Sequence, residues 1–391
     1  MMSKIKLSML KLKACLCILV ILSALIFAGC WDYRGLHEQT IVAGMAVDVA
    51  EEGEGYSLTL EVVDVAGANE GQFGSLLLTT TGETLSEAVF DAYAKLHGNV
   101  YLGIMDVVFI SQQVAEAGVS PLVEYLVRDR NARSNLHIVV AGTDRAAELL
   151  GPTADEDEPQ QIIRAKVLGE SLRQHRQGAA KAAETPQALE IFNRLITGVG
   201  TLALPVVAVS EAEDIPFQLD GLALFTGDRM TGHLPEADMP IYLLATTGLR
   251  DRVVPVDDMG PKGETRQAVL AVRRSESDVR FDHETGRLRF WLDIELEADV
   301  VELSGDWGQG GQERLRQIEA AAAETLTEQV HDLARRLGEE GQDIFGLLET
   351  VRHQNRTLWQ TVAEQPQKWL QGSEIQPQIQ VQIKSTGMIE R

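Results

Sequence analysis

Cysteine is almost absent from this chain of 391 residues: there are three, Cys15, Cys17 and Cys30, and none follows residue 30. A disulfide framework, or a metal site built from cysteines, is therefore excluded from the rest of the chain. Aromatic residues make up only 5% of the sequence, which leaves little material for stacking nucleic-acid bases. Catalytic signatures are missing as well. The eight histidines show no paired metal spacing, and no nucleophile elbow, phosphate loop or dinucleotide-binding glycine motif occurs.

Positive charge is also scarce. The formal net charge is −23, and the first 29 residues hold four lysines and no acidic residue, so the rest carries 31 basic and 58 acidic residues, or −27. A surface this acidic repels phosphate backbones, which argues against nucleic acid as a partner. It also argues against flat adsorption to anionic lipid, so attachment to a membrane would require a covalent or spanning device.

These absences predict a chain that is not an enzyme and that holds no cofactor or metal. The acidic run at residues 155–158 is a candidate for a bound cation, but such runs are commonly solvated loops. With 58 acidic residues, a carboxylate pair suited to acid–base catalysis cannot be told from coincidence.

The amino-terminal stretch, by contrast, has the pattern of an export signal that ends in a lipid-attachment cysteine. Four lysines precede an uninterrupted apolar run from Ala14 to Gly29, and these are the basic and apolar regions of a secretory signal. The run is shorter than the roughly 20 residues that a spanning helix needs. Ala28 and Gly29 are small enough to give a peptidase access to the backbone. The thiol of Cys30 is a nucleophile that can take up diacylglycerol, as in a bacterial lipobox.

We therefore predict cleavage before Cys30 and a diacylglycerol anchor on that residue, which places the protein on the outer face of a cell membrane. Phe27 stands where lipoboxes usually have leucine. The alternative is an uncleaved, slightly short membrane anchor with an incidental cysteine. Two acyl chains would hold the protein stably, because each buried methylene contributes about 0.8 kcal/mol.

The remaining sequence predicts an α+β protein of about three mixed α/β domains. Apolar runs alternate with amphipathic helices through an amino-terminal domain at residues 30–210. Residues 211–252 predict a small middle region that contains a hairpin at Gly227-Asp228. Residues 253–391 predict a carboxy-terminal α+β domain, with a meander of about three strands, a long helix and a returning strand with strict alternation.

Two local signals make specific structural predictions. Thr84 and Glu87 have the spacing of a capping box at the start of a predicted helix. The long helix has a single apolar stripe, which predicts the side that faces a core. The stripe consists of Leu315, Ile318, Ala322, Leu326, Val330 and Leu333.

Three segments carry a more specific signal. They are GCWDYRGLHEQTIVAGMAVDV from Gly29, DGLALFTGDRMTGHL at Asp220–Leu234, and DIFGLLETVRHQNRTLW at Asp343–Trp359. In this order they resemble the Ger(x)C family, the lipoprotein C subunits of nutrient germinant receptors in spore-forming bacteria. The resemblance spans essentially the whole chain. This sequence departs from the family pattern at Tyr33, where arginine is frequent, and at Leu347 and Leu348, where glycine and acidic residues are common.

The resemblance implies a non-enzymatic receptor subunit that acts in spore germination. Its partners would be a polytopic A subunit and a transporter-like B subunit, both integral to the inner membrane of the spore. Nutrient recognition would lie largely in those partners, so that this chain would not bind a small molecule directly. Cys30 is the residue to which the resemblance carries over a defined role.

Two other functions compete with this one. A lipoprotein that binds substrate for a transporter would need two similar α/β lobes. An exported, membrane-tethered enzyme would need catalytic residues that the sequence does not reveal.

Overall fold

Two β-sheets, each covered by helices, organise the chain in this computed structural model. The structure describes residues 39–51, 53–64, 74–96, 99–151, 162–177, 186–198, 201–210, 217–246, 248–259, 265–284, 286–307 and 311–385.

Thirteen strands and ten α-helices lie in these ranges. The strands are β1 (Gln39–Val49), β2 (Tyr56–Asp64), β3 (Gly74–Gly82), β4 (Asn99–Tyr101), β5 (Val107–Ile110), β6 (His137–Ala141), β7 (Leu202–Val209), β8 (Phe217–Thr226), β9 (Arg229–Leu234), β10 (Arg252–Met259), β11 (Thr265–Glu284), β12 (Arg287–Ser304) and β13 (Glu374–Ser385). The α-helices are α1 (Leu85–Lys95), α2 (Gln112–Ala117), α3 (Ser120–Arg128), α4 (Arg164–Gln177), α5 (Ala188–Thr197), α6 (Met239–Ala245), α7 (Gly311–Glu339), α8 (Leu347–Gln354), α9 (Arg356–Val362) and α10 (Pro366–Gln371). Short 3-10 helices span Ala146–Leu150 and Glu236–Asp238.

The larger sheet has the order β3-β2-β1-β5-β6-β7-β8-β9, with the short strand β4 beside β1. Its centre is parallel, from β1 through β5 and β6 to β7, and its flanks are antiparallel. Strand β5 is buried on both faces: Val108 and Ile110 pack beneath α1, α3 and α5, whereas Val107 and Phe109 face α4 and the helix Ala146–Leu150. Central strands covered on both faces are continuous apolar runs, as VVFI is here.

The smaller sheet has the order β10-β11-β12-β13, in which β13 runs parallel to β12 and the other pairs are antiparallel. One face packs on α7 and the short helices that follow it. The other face carries charged side chains. This arrangement follows from strict alternation in β12, where Phe290, Leu292 and Ile294 are buried while Asp293 and Glu295 point away from the core.

The described residues of the predicted middle region, 211–252, contact both sheets. Strands β8 and β9 extend the larger sheet through β7. Leu222, Leu224 and Leu234 pack in the same hydrophobic cluster as the buried face of the smaller sheet. The segment therefore joins the two sheets, because its hairpin has partners on both sides. All the predicted domain limits remain predictions.

The predicted α+β class is confirmed, and so are several of its local signals. The stripe of α7 faces the core, with Ile318, Leu326 and Val330 fully buried. Thr84 accepts a hydrogen bond from the backbone N–H of Glu87 at 3.2 Å and caps α1. Helix α7 is followed by three short helices, α8, α9 and α10.

Candidate functional site

The three residues predicted for anchoring and cleavage, Cys30, Ala28 and Gly29, lie outside the residues that the structure describes. The acidic run at 155–158 lies outside them too. Among the helices in the described ranges, none combines the length and apolar character needed to cross a bilayer. The same ranges contain no group of three histidine, cysteine or acidic side chains placed to hold a metal ion.

The described chain begins at one particular end of the larger sheet. Strand β1 starts at Gln39 and runs parallel to β5, with Gly44 opposite Val107. Asp106 immediately precedes β5, and Arg133 lies in the connection that leads to the parallel strand β6. The amino-terminal ends of these parallel strands meet at one edge, so Asp106 and the start of β1 lie at the same end of the sheet.

A buried carboxylate at this end is surrounded by three basic side chains. Asp106 is only 5% exposed. Its carboxylate contacts Nζ of Lys166 at 2.6 Å, Nη1 of Arg173 at 3.1 Å and Nη1 of Arg133 at 3.4 Å. The three basic side chains are each 34–42% exposed, whereas the side chain of Asp106 is 6% exposed. We call Asp106, Arg133, Lys166 and Arg173 the basic cluster.

Helix α4 supplies two members of the basic cluster and lies across the strands at two glycine contacts. A Cβ atom on Gly44 would approach Cβ of Ala165 to 2.2 Å, and one on Gly169 would approach Cβ of Asp106 to 2.5 Å. The carboxylate of Glu61 on β2 accepts the backbone N–H groups of Arg164 and Ala165 at 2.7 and 2.9 Å, which fixes the start of the helix. The helix sequence contains four basic residues and one acidic residue, the reverse of the chain as a whole.

The opposite end of the same sheet is acidic. A groove of about 840 Å³ opens where β1 ends, and hydroxyl side chains of β2 and β3 form its floor. Glu51, Glu54, Glu83 and Glu148 line it, with Arg145 as the basic residue among its lining residues. This groove is therefore acidic, whereas the basic cluster lies at the other end of the same sheet.

Three buried carboxylates serve the fold by capping helices. Besides Glu61, Asp48 accepts the N–H groups of Ala146 and Ala147 at 2.6 and 3.1 Å. Asp343 accepts those of Leu347 and Leu348 at 2.7 and 2.9 Å. Burial raises the pKa of Asp48 and Glu61, and raises the pKa of Asp343 to about 6, although the N–H bonds partly offset this effect.

The middle and carboxy-terminal segments that resemble the Ger(x)C family meet where the two sheets join. In the third segment, Asp343 caps α8, and Gly346 adopts a left-handed conformation (φ 68°) immediately before that helix. In the second, Thr231 accepts a hydrogen bond from the Gln342 amide at 2.6 Å. Leu347 and Leu348, where the sequence departs from the family pattern, are buried in the core.

Sequence reasoning missed the basic cluster. Its members come from the start of β5, the loop before β6 and two turns of α4, and the sequence separates them by up to 67 residues. The one available signal was the basic composition of residues 164–177 in an otherwise acidic chain.

Comparisons with known proteins cover both halves of the chain. A family model described as the spore germination protein N-terminal domain matches residues 32–209. A second, described as spore germination B3/GerAC like, C-terminal, matches residues 220–391. The resemblance stated from the sequence is therefore confirmed.

Curated relatives match over nearly their full length. The putative spore germination protein YfkR of Bacillus subtilis (strain 168) is 22% identical over 88% of this chain and 88% of its own. Spore germination protein KC of the same strain is 21% identical, with 97% of this chain and 96% of that protein covered. A solved structure, that of the GerBC protein, aligns with a TM-score of 0.54 at 16% identity, covering 90% of this chain and 100% of that one. The likeness to GerBC shows a shared fold.

Proposed function

This chain belongs to the GerAC family of spore germination proteins, and on that premise we propose that it is the lipid-anchored C subunit of a nutrient germinant receptor. Its partners are the integral-membrane A and B subunits. It lies on the outer face of the inner spore membrane, held by diacylglycerol on Cys30. It acts by assembly and signalling, without catalysis and without binding the nutrient itself.

The observation that carries this proposal is the match of two family models, in order, to residues 32–209 and 220–391. The first match begins two residues after Cys30, so the family domain starts where the predicted export signal ends. This agreement supports an exported domain that is tethered by its first residue.

The buried acidic groups support a role without catalysis. Asp48, Glu61 and Asp343 each accept backbone N–H groups at the start of a helix. Their hydrogen bonds are therefore committed to holding the fold. The transporter alternative needs two similar lobes, whereas the two sheets here differ in strand number, strand direction and helix cover.

The anchor is tested by replacing the thiol. We expect spores whose only copy carries Cys30→Ala to lose lipid labelling of this protein and to germinate at least tenfold more slowly with nutrient. Germination by a nutrient-independent stimulus should be unchanged. Cys17→Ala is the matched control, because it removes a thiol from the same leader and should leave labelling and germination intact. Normal nutrient germination of the Cys30→Ala spores would refute the proposal.

The partners are tested by purifying the natural chain through an affinity tag from detergent-dissolved spore membranes. We expect the A and B subunits to co-purify. Recovery of the chain in good yield without either subunit would contradict the proposed assembly.

A further inference from the structure

We infer that the basic cluster binds the phosphate groups of anionic lipid headgroups and so turns the amino-terminal ends of β1 and β5 toward the membrane. This inference rests on the proposed lipid anchor at Cys30. It adds a second contact with the membrane and a defined orientation, neither of which an acyl anchor alone provides.

The first step is the position of the cluster relative to the anchor. Cys30 precedes Gln39, the first residue of β1, by nine residues, which span at most about 30 Å when fully extended. Gln39 lies five residues before Gly44 on β1, and Gly44 pairs with Val107 on β5. Strand β1 therefore begins at the same end of the sheet as Asp106. The chain leads from the anchor to this end of the sheet, where the basic cluster lies.

The second step is the excess of positive charge. Lys166 alone, at 2.6 Å, gives the carboxylate of Asp106 a close ionic partner, while Arg173 and Arg133 add contacts at 3.1 and 3.4 Å. Glu170 also pairs with Arg173. Three basic groups against two carboxylates leave a net charge of +1, in a chain that is −27 without its leader. The three basic side chains are more exposed than Asp106, which is buried, whereas Glu170 at the rim of the cluster is 55% exposed.

The third step is the contrast with the other end of the sheet. Four glutamates line the groove where β1 ends, and an anionic membrane repels that end. Charges act over only about 8 Å at physiological ionic strength. Only the end of the sheet that the anchor holds near the membrane is therefore attracted or repelled by the lipid charge. Each basic group near an anionic surface adds a modest attraction, which is enough to bias orientation but not to anchor the protein.

The chemistry of the cluster suits phosphate. Guanidinium groups donate paired hydrogen bonds to phosphate oxygens, and a lysine adds a compact charge. Asp106 contacts the charged ends of these side chains, Nζ of Lys166 and Nη1 of Arg133 and Arg173, and so holds them close together. The side chains are part-exposed, so little further ordering is needed when a headgroup arrives. The ion pairs with Asp106 have a structural role as well, and the test must separate the two roles.

The test measures acylation of lysines in the natural, lipidated chain on vesicles, read by mass spectrometry. One set of vesicles is phosphatidylcholine alone, a second contains 30% phosphatidylglycerol, and a third is phosphatidylcholine with added inorganic phosphate. Lys384, which pairs with Glu297 at 2.9 Å on the smaller sheet, is the internal control. We expect labelling of Lys166 to fall at least threefold with phosphatidylglycerol only, while labelling of Lys384 stays the same.

A variant carrying Arg133→Gln and Arg173→Gln keeps the Lys166–Asp106 pair and should lose this protection. Arg280→Gln, on the charged face of the smaller sheet, is its matched control and should keep the protection. Thermal unfolding of both variants shows whether they fold.

Three results would overturn the inference: equal labelling of Lys166 on both lipid compositions, equal protection by inorganic phosphate, or protection that appears only when the A and B subunits are added. The last would assign the cluster to a protein partner. Flotation of the chain with each vesicle is recorded alongside. A chain that floats without protection of Lys166 refutes this inference alone, and a chain that does not float refutes the anchor as well.

Discussion

The two sheets of this protein are built on opposite principles. The larger sheet is covered by helices on both faces, so its central strands are apolar throughout and its helices must come very close to the backbone. The smaller sheet is covered on one face only, and ion pairs such as Arg273–Asp299 and Arg280–Asp293 cross its open face. Both faces of the larger sheet are therefore tightly packed, whereas only one face of the smaller sheet is. A change at the covered faces should cost far more stability than a change at the open one.

The largest effect is expected at Gly44, where α4 crosses β1. A Cβ atom there would lie 2.2 Å from Cβ of Ala165, so Gly44→Ala must displace the helix. We expect a loss of about 3 kcal/mol in the free energy of unfolding, measured by denaturant titration. Gly311→Ala, at the start of α7, has no atom within 4 Å of the added carbon and should leave stability nearly unchanged. If the two substitutions changed stability equally, close packing of α4 on β1 would not explain the effect at Gly44.

The next effect concerns Asp343, at the joint between the sheets. Asp343→Ala leaves the N–H groups of Leu347 and Leu348 without their acceptor in a buried place. We expect a loss of about 2–3 kcal/mol in the free energy of unfolding. Asp282→Ala, at an exposed position on the open part of β11, is the control and should change stability little. If both variants unfold at the same denaturant concentration as the natural chain, the capping role is wrong.

Asp343 also makes stability depend on pH. Its pKa rises in the fold from an ordinary 3.8 to about 6, so the folded chain holds this proton more tightly than the unfolded chain. The group stabilises the fold fully below about pH 4, and this contribution is lost as the pH rises through about 6. The stability advantage of the natural chain over Asp343→Asn should therefore decline by up to about 1.4 kcal/mol per pH unit across that window. Denaturant titrations of both proteins between pH 4 and 7 measure it, and a constant difference would contradict the raised pKa.

The smallest effect belongs to the open face. Arg273 donates from Nε to Asp299 at 2.6 Å, but its side chain is 54% exposed. We expect a coupling energy below about 1 kcal/mol from the two single variants to alanine and the double variant. A coupling as large as the effect of Gly44→Ala would show that the open face is held as firmly as the covered ones.

Local patterns predicted much of the secondary structure. Alternation in β12 and β13, the stripe of α7 and the cap at Thr84 depend on neighbours within a few residues, so the sequence contains all the information that they need. The place of β8 and β9 could not be predicted in this way. Their hairpin signal at Gly227-Asp228 predicts that the two strands pair with each other. It does not predict that β8 also pairs with β7 and so extends the larger sheet.

The sequence by itself determined the class of the fold, the family and the expectation of an anchor at Cys30, because each depends on patterns within short segments of the chain. Only the tertiary structure decided that the small middle region is the joint between two sheets. It alone brought Asp106, Arg133, Lys166 and Arg173 together at the end of the sheet where the anchored chain arrives. The physical reason is that parallel strands begin at the same end of a sheet, so connections that are distant in sequence meet there. Helix α4 can cross the strands at this end only because Gly44 and Gly169 leave room.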